Sequence, residues 1–165
     1  MKRLLLAVLT LGLLVALPAQ ADIYVVAAAQ SPLKVGSAKD IQALFMGRTR
    51  TLGDGTEIAQ PVDLPRDHEL RTQFYRVLTG WGPAQINSYW ARLLFSGQVA
   101  PPLPMASEPA VIDYLNLHPN AVGYLGQMPS NNRLKVLLLL RTGEVAGTSF
   151  SIPLMPGQRP SAFSA

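Results

Sequence analysis

The residues best suited to chemistry cluster between Asp63 and Arg71, where Arg66, His68 and Arg71 stand beside the carboxylates of Asp63, Asp67 and Glu69. Arginine offers a planar fork of N–H donors that matches an oxyanion with two parallel hydrogen bonds. An extended segment that feeds a helix N-terminus adds unpaired backbone N–H groups, so the stretch suits contact with a small anion. A plainer reading is a solvated helix start, with Asp67 as N-cap and Glu69 paired to a nearby arginine. The local balance is three acids against two arginines. Carboxylates at a helix N-terminus compete with a bound anion for the same positive end. Arg92, set between Trp90 and Phe95, is the remaining candidate and can reach either a ligand or a structural carboxylate.

Other chemistries find little support. His68 and His118 lie fifty residues apart, and neither has a second ligand at helical spacing, so a metal site is not expected. No Gly-x-Ser-x-Gly elbow accompanies them, and the chain contains no cysteine, which removes thiol catalysis and thiolate metal sites. Gly53-Asp54-Gly55 has the composition of a hairpin turn. The expectation is a non-enzyme without a cofactor.

The elements that must position the arginines follow from spacing. Ile23 to Ala28 is an unbroken β-rich run, the pattern of a buried strand. Ser37 stands three residues before Asp40, and Ile41, Leu44 and Phe45 share one helical face through Met46. Arg48 to Ala59 reads as a hairpin-like excursion, and Pro61 to Pro65 as a short extended segment. Helices are predicted from Asp67 to Thr79, closed by Gly80, and from Pro83 to Phe95, with a wide apolar stripe of Ile86, Tyr89, Trp90, Leu93 and Leu94. On this spacing Trp81, Tyr89 and Trp90 are core or edge-of-core aromatics. Val99 to Met105 carries three prolines and reads as an extended loop, and Ser107 opens a further helix. Ala121 to Leu125 and Leu134 to Leu140 read as strands, with a weaker one near Ser149 to Leu154. Strands separated by helices imply an α/β sandwich with a mixed, mostly parallel sheet.

The ends of the 165-residue chain read differently from its middle. Met1-Lys2-Arg3 is basic, twelve of the fourteen residues from Leu4 to Leu17 are Leu, Val or Ala, and Ala19-Gln20-Ala21 supplies a small-x-small cleavage pattern. Residues 1–21 thus have the form of a cleavable signal peptide rather than a membrane anchor, and a periplasmic location is expected. Without Lys2 and Arg3 the net charge falls from +4 to +2. No basic run of five or more remains, so nucleic acid is not an expected partner. One domain over residues 22–142 follows, with residues 143–165 as a Gly/Pro/Ser-rich extension.

Four segments in order carry a family resemblance. Asp40 to Gly47 resembles the "I-F-x-G-K" helix end of phosphate receptors of ABC transporters. Pro61 to Pro65, followed by Leu70-Arg71-x-x-Phe74-Tyr75, resembles their strand, ligand loop and following helix. Tyr89 to Gly97 is similar to a motif of short secreted relatives, and Pro119 to Leu125 to the receptors' "N-P-x-A-I-G-Y" strand. The resemblance implies one lobe of a periplasmic-binding-protein-like fold, a three-layer sandwich. Full receptors close two lobes on a ligand. A single lobe offers half a cleft, which a second copy, a transporter or another periplasmic protein would have to complete.

The resemblance also shows a departure. Receptors of this class open the ligand helix with Gly-Ser-Gly-Thr, whereas Pro65 to Arg71 here contains no glycine and no hydroxyl before Thr72. Two functions follow as expectations. One is a secreted solute-binding-type protein holding phosphate or a similar oxyanion weakly through Asp63, Arg66, His68, Arg71 and Arg92. The other is a ligand-free interaction or accessory module, with Pro-rich docking segments at Val99–Met105 and Ile152–Pro160.

Overall fold

A computed structural model describes residues 22–97, 99–130 and 132–142. The expected signal peptide and the strand near Ser149 to Leu154 lie outside the described residues. Nine elements follow in chain order: β1 (Asp22–Ala28), α1 (Ala38–Phe45), β2 (Gln60–Asp63), α2 (Glu69–Thr79), α3 (Pro83–Ser96), β3 (Leu103–Pro104), α4 (Glu108–Leu117), β4 (Ala121–Leu125) and β5 (Leu134–Arg141).

The strands form one sheet in the order β3-β2-β4-β1-β5. β2 pairs parallel with β3 and β4, while β1 pairs antiparallel with β4 and β5. Four strands therefore point one way and β1 alone opposes them, so the sheet is mixed and mostly parallel in direction. β1 lies between two neighbours, and Ile23 and Val25 to Ala28 are fully buried, which accounts for its uninterrupted apolar sequence.

Adjacent residues of β4 show the layers, because successive strand side chains point to opposite faces. A side chain at Gly123 would meet Val111 Cγ1 of α4 at 2.6 Å and Val62 at 3.0 Å. α4 comes so close on that face that only glycine fits. On the other face the Tyr124 ring stacks on Phe74 of α2 at 3.9 Å, and Phe45 of α1 packs edge-on against both rings. The sheet is thus sandwiched between α4 and the α1–α2 pair. This central aromatic cluster is the core, and Phe45, Phe74 and Tyr124 are at most 1% exposed.

Local signals explain most boundaries. The Asp40 carboxylate accepts hydrogen bonds from the N–H groups of Gly36 and Ser37, tying down the start of α1. Gly80 and Gly97 end α2 and α3 in the left-handed conformation that glycine adopts without steric cost. The excursion from Arg48 to Ala59 closes through a single antiparallel bridge between Thr51 and Ile58. Inside the Pro-rich loop, Leu103 and Pro104 form the short edge strand β3. The stripe of α3 is narrower than its sequence suggests. Ile86 and Trp90 are buried, but Leu94 is half exposed and Phe95 is 94% exposed, since α3 lies on α2 and the end of α1 and not on the sheet. Trp81, Tyr89 and Leu93 pack at the margin of the core, and the Tyr89 hydroxyl donates to the Met46 carbonyl at 2.6 Å.

Candidate functional site

Asp63 is the last residue of β2, at the end of the strand that feeds α2, and it is only 6% exposed. Its carboxylate is surrounded by donors. Oδ2 accepts from Arg71 Nε at 2.8 Å and from the Tyr75 hydroxyl at 3.0 Å. Oδ1 accepts from the Tyr124 hydroxyl at 2.6 Å and from the Leu64 N–H at 3.0 Å. Each oxygen thus has two donors, and one donor is a cation. Arg71 is 5% exposed, and its guanidinium lies over the Tyr75 ring at 4.8 Å.

Three elements converge to make this arrangement. Arg71 and Tyr75 are four residues apart on α2, so they share a face. β4 runs parallel beside β2 and brings Tyr124 to Asp63 across 61 residues of sequence. Phe74, on the same helix, stacks on Tyr124 and holds its ring in place.

The electrostatics favour one protonation state. Burial raises the Tyr75 and Tyr124 phenols well above their ordinary value, and the negative charge of Asp63 raises them further. Both remain neutral O–H donors at ordinary pH. For Arg71, burial acts to lower the pKa, but the Asp63 charge and hydrogen bond outweigh it, and the net shift is upward. The Trp90 indole N–H is buried without an acceptor in hydrogen-bonding geometry, and its proximity slightly opposes the rise at Tyr75.

The structure therefore brings together two of the five sequence candidates, Asp63 and Arg71, and pairs them with each other. Arg66 is exposed in the turn before α2. His68, not Asp67, is the N-cap: its Nδ1 accepts from the Leu70 N–H at 3.2 Å. Glu69 accepts from Gln73 at 3.1 Å rather than pairing with an arginine. Arg92 is exposed on α3, where it lines a shallow open depression with Trp81, Ala84, Gln85 and Ser88. No ion pair ties it down among the described residues. Tyr75 and Tyr124 escaped the sequence reading, although Tyr75 carried a usable hint in its four-residue spacing from Arg71. His118 stacks on Tyr114 at 3.8 Å and ends α4. Among the described residues no group of three acidic, histidine or cysteine side chains converges as a metal site.

Chemically, the cluster is an oxyanion seat whose occupant is a side chain of the protein itself. A free anion entering it would have to displace a carboxylate already holding four donors, or sit against its negative charge.

No protein-family profile matches the chain. No curated protein matches it either. Solved structures do. One is a Clostridium perfringens protein assigned as a phosphate ABC transporter substrate-binding protein, with phosphate bound: TM-score 0.55, 12% identity, covering 72% of this chain and 45% of that one. Another is an ABC-type phosphate transport receptor from Vibrio cholerae, at TM-score 0.52 and 15% identity, covering 72% of this chain and 46% of that one. At these identities the likeness establishes the fold, the periplasmic-binding-protein-like α/β sandwich. The chain spans under half the length of the receptors it matches, as a single lobe does. Among the described residues no helix is long and apolar enough to cross a membrane.

Proposed function

We propose that this protein is a periplasmic accessory module: a single receptor-type lobe that keeps the fold of solute-binding proteins and acts through protein contacts. The observation that carries this reading is the Asp63 carboxylate, which takes up Arg71, Tyr75, Tyr124 and the Leu64 N–H at the end of β2. These donors are the kind that an oxyanion would require. The remaining charges at the start of α2, Arg66 against Asp67 and Glu69, sum to −1 and offer no attraction for phosphate. The exposed apolar side chains of Leu94 and Phe95 at the end of α3 support a role in contact with another protein. The hydrophobic leader of residues 1–21 supports export.

A second reading, weak binding of phosphate or a similar oxyanion by the solute-binding-type lobe, rests on one observation. Only Nε of Arg71 makes a hydrogen bond among the described residues, so its two Nη groups have donors to offer. Calorimetric titration of phosphate at low salt separates the two. The accessory reading expects no heat of binding at millimolar phosphate. Saturable heat that disappears in Arg71→Ala would instead establish the oxyanion reading and make a transporter the partner to seek.

A further inference from the structure

We propose that Asp63 is the resident anion of this seat, the residue that sets its specificity, and that removing its carboxyl group converts the seat into a site for small planar carboxylates such as formate. The inference rests on the accessory-module reading and names what keeps the wild-type seat closed to solutes.

The four donors come from α2, from β4 and from Leu64 just past the end of β2, and each has a contact apart from the Asp63 carboxylate, which for Arg71 is the Tyr75 ring alone. Tyr124 is packed against Phe74 at 3.9 Å and Phe45 at 5.9 Å. Tyr75 contacts Phe74 edge-on at 5.4 Å and carries Arg71 over its face. The Leu64 N–H is fixed by the backbone between Asp63, whose carbonyl accepts from Met105 at 2.8 Å, and the turn before α2. The donors should therefore stay in position when the carboxyl group is cut away. Arg71, 5% exposed, would be left as a buried cation without a counter-ion.

Such a charge strongly favours an anion that restores its partner. The size of the vacancy selects which one. Replacing Asp63 by alanine removes one carbon and two oxygens, the heavy atoms of formate, with the same planar O–C–O spacing. Phosphate is tetrahedral and carries two further oxygens, for which a close-packed interior has no room. Neutral phenols donate to either anion, so shape decides.

The test compares the melting temperatures of wild type, Asp63→Ala, Asp63→Asn and the double variant Asp63→Ala/Arg71→Leu in sodium formate, chloride and phosphate at equal ionic strength. The expected result is a low melting temperature for Asp63→Ala that rises saturably with formate and not with phosphate, since a ligand that binds only the folded state stabilises it. Wild type and Asp63→Asn, whose seats are filled, should follow chloride in every salt, and so should the double variant, which has no cation. If Asp63→Ala does not fold in chloride, refolding yield becomes the readout, and a higher yield in formate is expected. Equal responses to formate and chloride in Asp63→Ala, by either readout, overturn the inference. So does a formate response as large in wild type. Phosphate binding by wild type would defeat the accessory reading, whereas a silent wild type with an unresponsive Asp63→Ala defeats this inference alone.

Discussion

α2 and α3 are the two longest helices among the described residues, and they reverse what their compositions suggest. α3 is the more apolar, yet only Ile86 and Trp90 of its fourteen residues are buried. α2 is more polar, yet it buries six of eleven, including the guanidinium of Arg71. The difference lies in what each helix rests on. α2 packs against α1 and the sheet, so even its charged side chain must be enclosed and provided with a partner. α3 rests on α2 from outside and leaves Phe95 almost wholly in water. Buried charge and exposed aromatic surface are the informative departures from ordinary burial. Here they separate the two helices: α2 encloses a charge pair, while α3 leaves apolar side chains exposed.

The sharpest way to break this contrast is to remove the charge balance inside α2. Arg71→Ala leaves Asp63 buried without its cation and should lower the unfolding free energy by about 3–5 kcal/mol. Replacing Asp63 and Arg71 together by leucine removes the unpaired charge but should recover only part of that loss, because the Tyr75 and Tyr124 hydroxyls and the Leu64 N–H lose their acceptor. Denaturant unfolding of wild type and the two variants at neutral pH checks both statements. A loss under about 1 kcal/mol for Arg71→Ala would mean that the pair is not enclosed.

Paired aromatic truncations sharpen the same comparison. Phe74→Ala opens the core beneath Tyr124 and should cost about 3–4 kcal/mol. Phe95→Ala should change stability by no more than about 0.5 kcal/mol, as expected for a surface position. Equal costs for the two would show that α3 is covered in the folded protein.

Alkaline titration probes the tyrosines directly. Their folded-state pKa values lie well above the ordinary 10.0, so the unfolded chain releases these protons first as pH rises. The folded state then binds more protons than the unfolded one, and stability must fall with pH. The contribution is complete below about pH 10 and declines above it, by at most about 1.4 kcal/mol per pH unit for each tyrosine. Tyr75→Phe and Tyr124→Phe should each flatten that decline, measured as unfolding free energy between pH 9 and about 11.

The parts of the fold that depend on local chemistry are legible in the sequence. β4 was expected at Ala121 to Leu125 and occupies those residues, because the Pro119-Asn120 turn and the apolar run define it locally. The α1 start, the Gly80 and Gly97 stops and Pro83 in the first turn of α3 were legible for the same reason. The site was less so. Asp63 and Arg71 could be singled out by residue type, but their pairing with Tyr124 depends on β2 lying beside β4, a contact between distant segments that no local pattern encodes. Asp67 is the better capping type, but His68 one residue later holds the N-cap of α2. Apolar spacing along α3 could not reveal that the helix has no sheet beneath it.

The central claim is that Asp63 already occupies the seat in which an oxyanion would lie. Heteronuclear NMR of the Arg71 Nε–H and the Leu64 amide during a phosphate titration tests it most directly, since both groups donate to that carboxylate. Both resonances should stay unmoved through millimolar phosphate, with the Arg71 Nε–H protected from exchange by its bond to Asp63. A saturable shift of either resonance, with loss of that protection, would contradict the claim and show a seat open to solutes.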